Sequence, residues 1–177
     1  MELERHLIEA IGVLRRDAAS ILAVAGDTGA LLPGLTFIAL GAFLSNLPSG
    51  FFLAVVSLMV APILSFLMVG IMFVLTRWFN NGRGDYMSLW GPIAYSYLLG
   101  AVGILRYVPF LDVVVGLAIS VYLLVVQVVI VETTQQIGRG KAIVVVLAPV
   151  LFMILVLTVL LIFLFLMTKG SEEQRTS

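Results

Sequence analysis

From Ala142 to Thr168 the chain carries no charged side chain, and the same holds for residues 28–76, 86–105 and 113–131. Asp27, Arg77, Asp85, Arg106, Asp112, Glu132 and Lys141 mark the limits of these runs. A bilayer's hydrocarbon core of about 30 Å takes roughly 20 apolar residues of helix at about 1.5 Å each. The runs reach or exceed that length, so the chain is an integral membrane protein. Composition agrees: 62% of residues are hydrophobic, 11% are charged and the mean hydropathy is +1.18, far outside the usage of soluble domains. No stretch between the runs is long enough for a conventional soluble domain. The absence of cysteine excludes disulfides, thiolate metal sites and cysteine nucleophiles. A net charge of zero, with no concentrated basic patch, argues against nucleic acid as a partner.

The pattern predicts an all-α fold: a polytopic membrane helical bundle of five transmembrane helices preceded by an amphipathic helix. Residues 1–27 form an arm dense in charge, which does not read as a signal peptide. Within it, Leu3, Leu7, Ile11, Leu14, Ala18 and Leu22 recur at helical spacing over residues 3–22. Such a helix fits the membrane interface beside the first span, with a cap on a bundle or dimer partner as the alternative. The transmembrane domain follows over 28–168. Its first run would be roughly 73 Å long as one helix, so it must turn back, and Asn46-Leu47-Pro48-Ser49-Gly50 is its densest breaker cluster. The expected spans are therefore about 29–46, 50–76, 87–106, 110–132 and 141–168, with a hydrophilic tail at 169–177. Pro62 and Pro149 fall inside spans two and five, and Gly91, Gly100 and Gly103 make one side of span three slim enough for a close neighbour.

Short-loop basic residues set the orientation. Five spans place Arg5, Arg15, Arg16, Arg77, Arg83, Arg139 and Lys141 on one side, against Arg106, Lys169 and Arg175 on the other. The N-terminus is thus expected in the cytoplasm and the C-terminus outside it. Trp78 and Trp90 then flank the cytoplasmic ends of spans two and three, where interfacial anchors belong.

The sequence contains no H-E-x-x-H, G-x-S-x-G or P-loop pattern. Its one histidine, His6, reads as a surface residue of the arm, and a histidine-based metal centre would need more ligands. We expect no metal, no cofactor and no enzymatic activity. The polar candidates for binding are Tyr95 and Tyr97 in span three, Arg106 and Asp112 facing each other across the following turn, Gln127 within span four and Glu132 at its end. Gln127 needs amide partners wherever it is buried. Arg106 with Asp112 reads first as a structural ion pair, and Glu132 can pair with Arg139 or Lys141.

Three strings carry a resemblance: Trp90-Gly91-Pro92-Ile93-Ala94-Tyr95-Ser96-Tyr97, then Tyr107-Val108-Pro109-Phe110-Leu111, then Thr133-Thr134-Gln135-Gln136-Ile137-Gly138-Arg139-Gly140-Lys141-Ala142. In this order they resemble the tyrosine-rich third helix, proline turn and Gly/basic-linked helix pair of the Yip1 domain family, over about residues 28–167. The resemblance implies five spans and supplies no catalytic residues. Eukaryotic members are associated with Golgi and endoplasmic reticulum trafficking and with prenylated small GTPases, bound largely through an extended cytoplasmic N-terminal region. The short arm here is more like that of prokaryotic members, which argues against GTPase binding. The expected partners are membrane lipids, a second copy or another membrane protein. The role implied is a membrane organiser or partner subunit, with a small transporter, channel or lipid-moving protein as the alternative.

Overall fold

The computed structural model describes residues 2–108 and 110–173, with side chains throughout except at positions 79, 80, 153, 157, 160 and 164–173. The described residues form an all-helical bundle in which five helices are long and apolar enough to cross a membrane. Two short helices come first, α1 (Glu2–Leu14) and α2 (Ala18–Gly26). Span one is α3 (Leu31–Asn46), extended by a 3₁₀ turn at Leu47–Ser49, and span two is α4 (Phe51–Asn80). Span three begins as α5 (Tyr86–Ser96) and finishes as a 3₁₀ helix, Tyr97–Tyr107; spans four and five are α6 (Leu111–Gln135) and α7 (Arg139–Glu173). The turn between spans one and two closes on Gly50, whose φ of 123° favours glycine. Helices α4 and α7 continue through Pro62 and Pro149. Helix α7 takes in the tail as far as Glu173, while residues 174–177, like Pro109 of the proline turn, lie outside the described residues.

The arm differs from a single helix over 3–22. It reverses at Arg15–Asp17 because α1 is closed by a left-handed cap: Arg16 has φ 63°, its N–H bonds the Val13 carbonyl, and the Asp17 N–H reaches back to Gly12. Asp17 then opens α2, its carboxylate accepting from the backbone N–H and the hydroxyl of Ser20. The result is an antiparallel helical hairpin, with Gly12 against Ser20 at the tip and Arg5 paired to Asp27 at the base. The apolar stripe Leu3, Leu7 and Ile11 is exposed, and the face against the bundle is His6, Ala10 and Val13.

Span three is the hub. Half of it is buried, against about a fifth of each other span, and α5 packs on α1, α2, α3, α4 and α6. Every residue of Leu89–Ser96 is buried. Trp90 therefore lies in the core rather than in an interfacial belt: Phe66 stacks on it at 4.6 Å and its indole N–H donates to the Ser65 hydroxyl at 3.1 Å. Trp78 is 78% exposed. The two tryptophans separate because α5 enters between α2 and α4, so one turn of helix already carries Trp90 inside the protein.

The glycines of span three serve two neighbours. Gly91 lies against Val24 of α2 and against Ala30, whereas Gly100 and Gly103 lie on the backbone of α3 at Gly41 and Ser45. A Cβ at Gly41 would strike the Tyr97 carbonyl, and one at Gly100 would strike Gly41. Among lipid tails, apolar helices gain little by hiding from solvent, so close backbone packing of this kind supplies the attraction.

Candidate functional site

A polar grouping sits where the hairpin meets spans one and three. Helical spacing puts Arg5, His6 and Glu9 within reach of each other on α1. Asp27, at the end of α2, is oriented by its own turn, Oδ1 accepting the Gly29 N–H at 2.7 Å and Oδ2 accepting from Arg5 at 2.9 Å. Tyr95 of α5 is fully buried, edge-on to Phe37 with ring centroids 5.1 Å apart, and its hydroxyl lies 2.8 Å from His6 Nδ1. The same nitrogen is 3.3 Å from Glu9. When bare it accepts from the phenol, and when protonated it donates to the carboxylate. Beside this group, between α1 and span one, opens a cavity of about 370 Å³ lined in part by Arg5, His6, Leu32, Thr36 and Phe37.

His6 is thus 7% exposed, not a surface residue. The signal for this was present but faint: His6, Ala10 and Val13 form a second, narrower face on α1 at helical spacing. The grouping also brings donor atoms of His6, Glu9 and Asp27 within 4.8 Å of one another, a combination that the lone histidine did not suggest. Arg5 already reaches both carboxylates, at 3.7 Å to Glu9 and 2.9 Å to Asp27. The cation that this arrangement is built around is the guanidinium.

The six candidates from the sequence lie in different places. Tyr95 belongs to the group just described. Tyr97 is half-buried, with its carbonyl against Gly41. Arg106 and Asp112 meet near the opposite end of span three, Nε donating to Oδ1 at 2.5 Å, while Nη1 donates to the Ser45 carbonyl at 3.4 Å. They border a groove of about 440 Å³ with Gly116 and Ser120. Gln127 is half-buried in α6, and its side-chain amide makes no hydrogen bond among the described residues. Glu132 accepts from Arg139 at 3.0 Å across the last loop.

A seventh polar residue went unmarked. Gln135, the last residue of α6, is fully buried; its Nε2 donates to the Asp85 carbonyl at 3.4 Å and its backbone carbonyl accepts from Arg83. Its Oε1 has no partner among the described residues. Gly82 and Gly84 leave it room, for a Cβ at either would press on its side chain.

The strings Trp90–Tyr97 and Thr133–Ala142 lie within a match between the chain and the Yip1 domain model, over residues 10–161. The chain belongs to the Yip1 domain family. The match includes the last five residues of α1 and all of α2, so the turn of the hairpin is inside the matched region while Arg5, His6 and Glu9 precede it. Comparisons with curated proteins and with solved structures gave no match. Family and fold together make this a multi-pass membrane protein, consistent with contacts to lipid or to membrane partners.

Proposed function

We propose that this Yip1 domain protein is a membrane organiser or partner subunit, acting through contacts with lipid or with other membrane proteins rather than through chemistry on a substrate. The observation that carries the reading is the separation of its polar residues: Tyr95, the Arg106–Asp112 pair and Glu132 are each engaged in a different local contact, at different places in the bundle. Catalysis would need several such groups aimed at one point. The N-terminal side is the cytoplasmic one on this reading, since it gathers most of the short-loop basic residues. Docking of the α1–α2 hairpin onto the spans supports leaving small GTPases out of the partner set.

Extraction in a mild detergent, followed by native mass spectrometry, tests the proposal. Retained lipid, a second copy or a protein partner is expected; a bare monomer would overturn it. The groove beside Arg106 and Asp112 supports a second reading, transport or lipid movement. Ion flux or lipid scrambling in proteoliposomes that is lost on Gln127→Ala would put that reading first.

A further inference from the structure

We propose that the α1–α2 hairpin lies immersed in the membrane interface on the N-terminal side of the bundle, with Leu3, Leu7, Ile8, Ile11 and Leu22 against lipid acyl chains. This deepens the organiser reading, on which it rests, by naming bilayer lipid as what contacts one surface.

Three observations converge. The first is depth. Gly91 lies against Val24 and Ala30, at the level where span one begins, and the His6–Tyr95 contact lies one turn further along α5. One turn is about 5.4 Å, and helices that lie in the interface bury their apolar face by about 5–10 Å. At the tip, the Tyr122 hydroxyl of α6 donates to the Leu14 carbonyl. Both attachment points are within spans, not in loops.

The second is the exposed surface. The five residues named are 37–67% exposed. The four on α1 share one side of the helix with Leu14, with Glu4 among them in the first turn, while Arg5, Glu9 and Gly12 turn toward α2. In water this side would be an apolar patch with no reason to be there; beside acyl chains it continues the lipid-facing surface of the spans.

The third is the accounting of polar groups. A helix end leaves its last four carbonyls without helical partners, and in water the solvent satisfies them. Here all four are paired inside the protein: Ile11 by Arg15 N–H, Gly12 by Asp17 N–H, Val13 by Arg16 N–H and Leu14 by the Tyr122 hydroxyl. Arg5 pairs with Asp27 and Glu9 at the hairpin base. Closed hydrogen bonding of this kind is what a low-dielectric setting demands. Arg15 and Arg16, both exposed at the tip, have stems long enough to carry their charge to the headgroups.

The chain has no native cysteine, so single-cysteine variants of the full chain can be spin-labelled without background. In phosphatidylcholine–phosphatidylglycerol vesicles, collision with oxygen and with a water-soluble nickel chelate reports immersion. Labels on Ile8→Cys and Ile11→Cys should favour oxygen over nickel several-fold more than one on Gly138→Cys, exposed in a loop with room for the side chain, and less than one on Ile63→Cys, which is 69% exposed in mid-span two. Nickel accessibility equal to that at position 138 would overturn the proposal. So would low collision with both reagents, which would mean that a second copy or another protein covers the face. Either failure leaves the organiser reading standing on the detergent experiment, whose outcome does not depend on the hairpin's depth.

Discussion

Asp17 ends one helix and begins the next: its N–H closes the cap of α1 and its carboxylate caps α2. The Ser20 hydroxyl, then the Ser20 backbone N–H, hold that carboxyl below its ordinary value of 3.8. A depressed folded-state pKa contributes stability above the unfolded value and loses it as pH falls through the folded one. Acidification from about pH 5 to about pH 2 should therefore loosen the hairpin turn, read as faster amide exchange at Ser20 and Ile21, while Asp17→Asn, which keeps an acceptor but does not titrate there, should show a flatter profile. Arg16, just before it, takes a left-handed conformation that disfavours a side chain. With no glycine at that point, the sequence continues its apolar spacing across the break, which is why one helix rather than two is legible there. His6 was obscured for a different reason: the narrow face that it shares with Ala10 and Val13 is only a faint sign of burial, and its partner Tyr95 is 89 residues away.

Among the elements, the spans were legible because their signal is length without charge, which no packing detail can override. The state of the second half of span three was not. Eleven residues of 3₁₀ helix are unusually many, and nothing in Tyr97–Tyr107 separates this from an α-helix by composition. It coincides with the interface at which Gly41, Gly100 and Gly103 let two backbones approach directly. Gly100→Val should prevent that approach and destabilise the bundle by about 1–3 kcal/mol, the usual range for overpacking. The measurement is the thermal midpoint in detergent, with Gly138→Ala, where a Cβ meets nothing, expected to leave it unchanged. The same logic explains Trp90: an interfacial residue by sequence position, it became core because α5 is surrounded so near its start.

At the scale of the whole molecule, the hairpin and the five spans are joined by few polar links, and Tyr95 is the innermost of them. Tyr95→Phe removes its hydroxyl from His6 while keeping the ring against Phe37. A loss of about 1 kcal/mol is expected, and it should appear selectively: hydrogen exchange in α1 should accelerate while the buried stretch Leu89–Ser96 stays protected. Equal acceleration in both would mean that the hairpin and spans open as one unit. The scatter of Tyr95, Arg106, Gln127 and Glu132 over the bundle could not be read from the chain, because it depends on which faces of spans three and four meet which neighbours.

The 3₁₀ half of span three also sets a distance. At about 2.0 Å per residue, its eleven residues cover about 22 Å, whereas the same residues wound as an α-helix would cover about 16.5 Å. The difference of about 5.5 Å falls on the end that carries Arg106. Wound as an α-helix, the segment would draw that guanidinium away from Asp112 and the Ser45 carbonyl and toward the middle of the bilayer. The stretched winding therefore works as a spacer, delivering one arginine to the far boundary of the membrane with no residue added to the span.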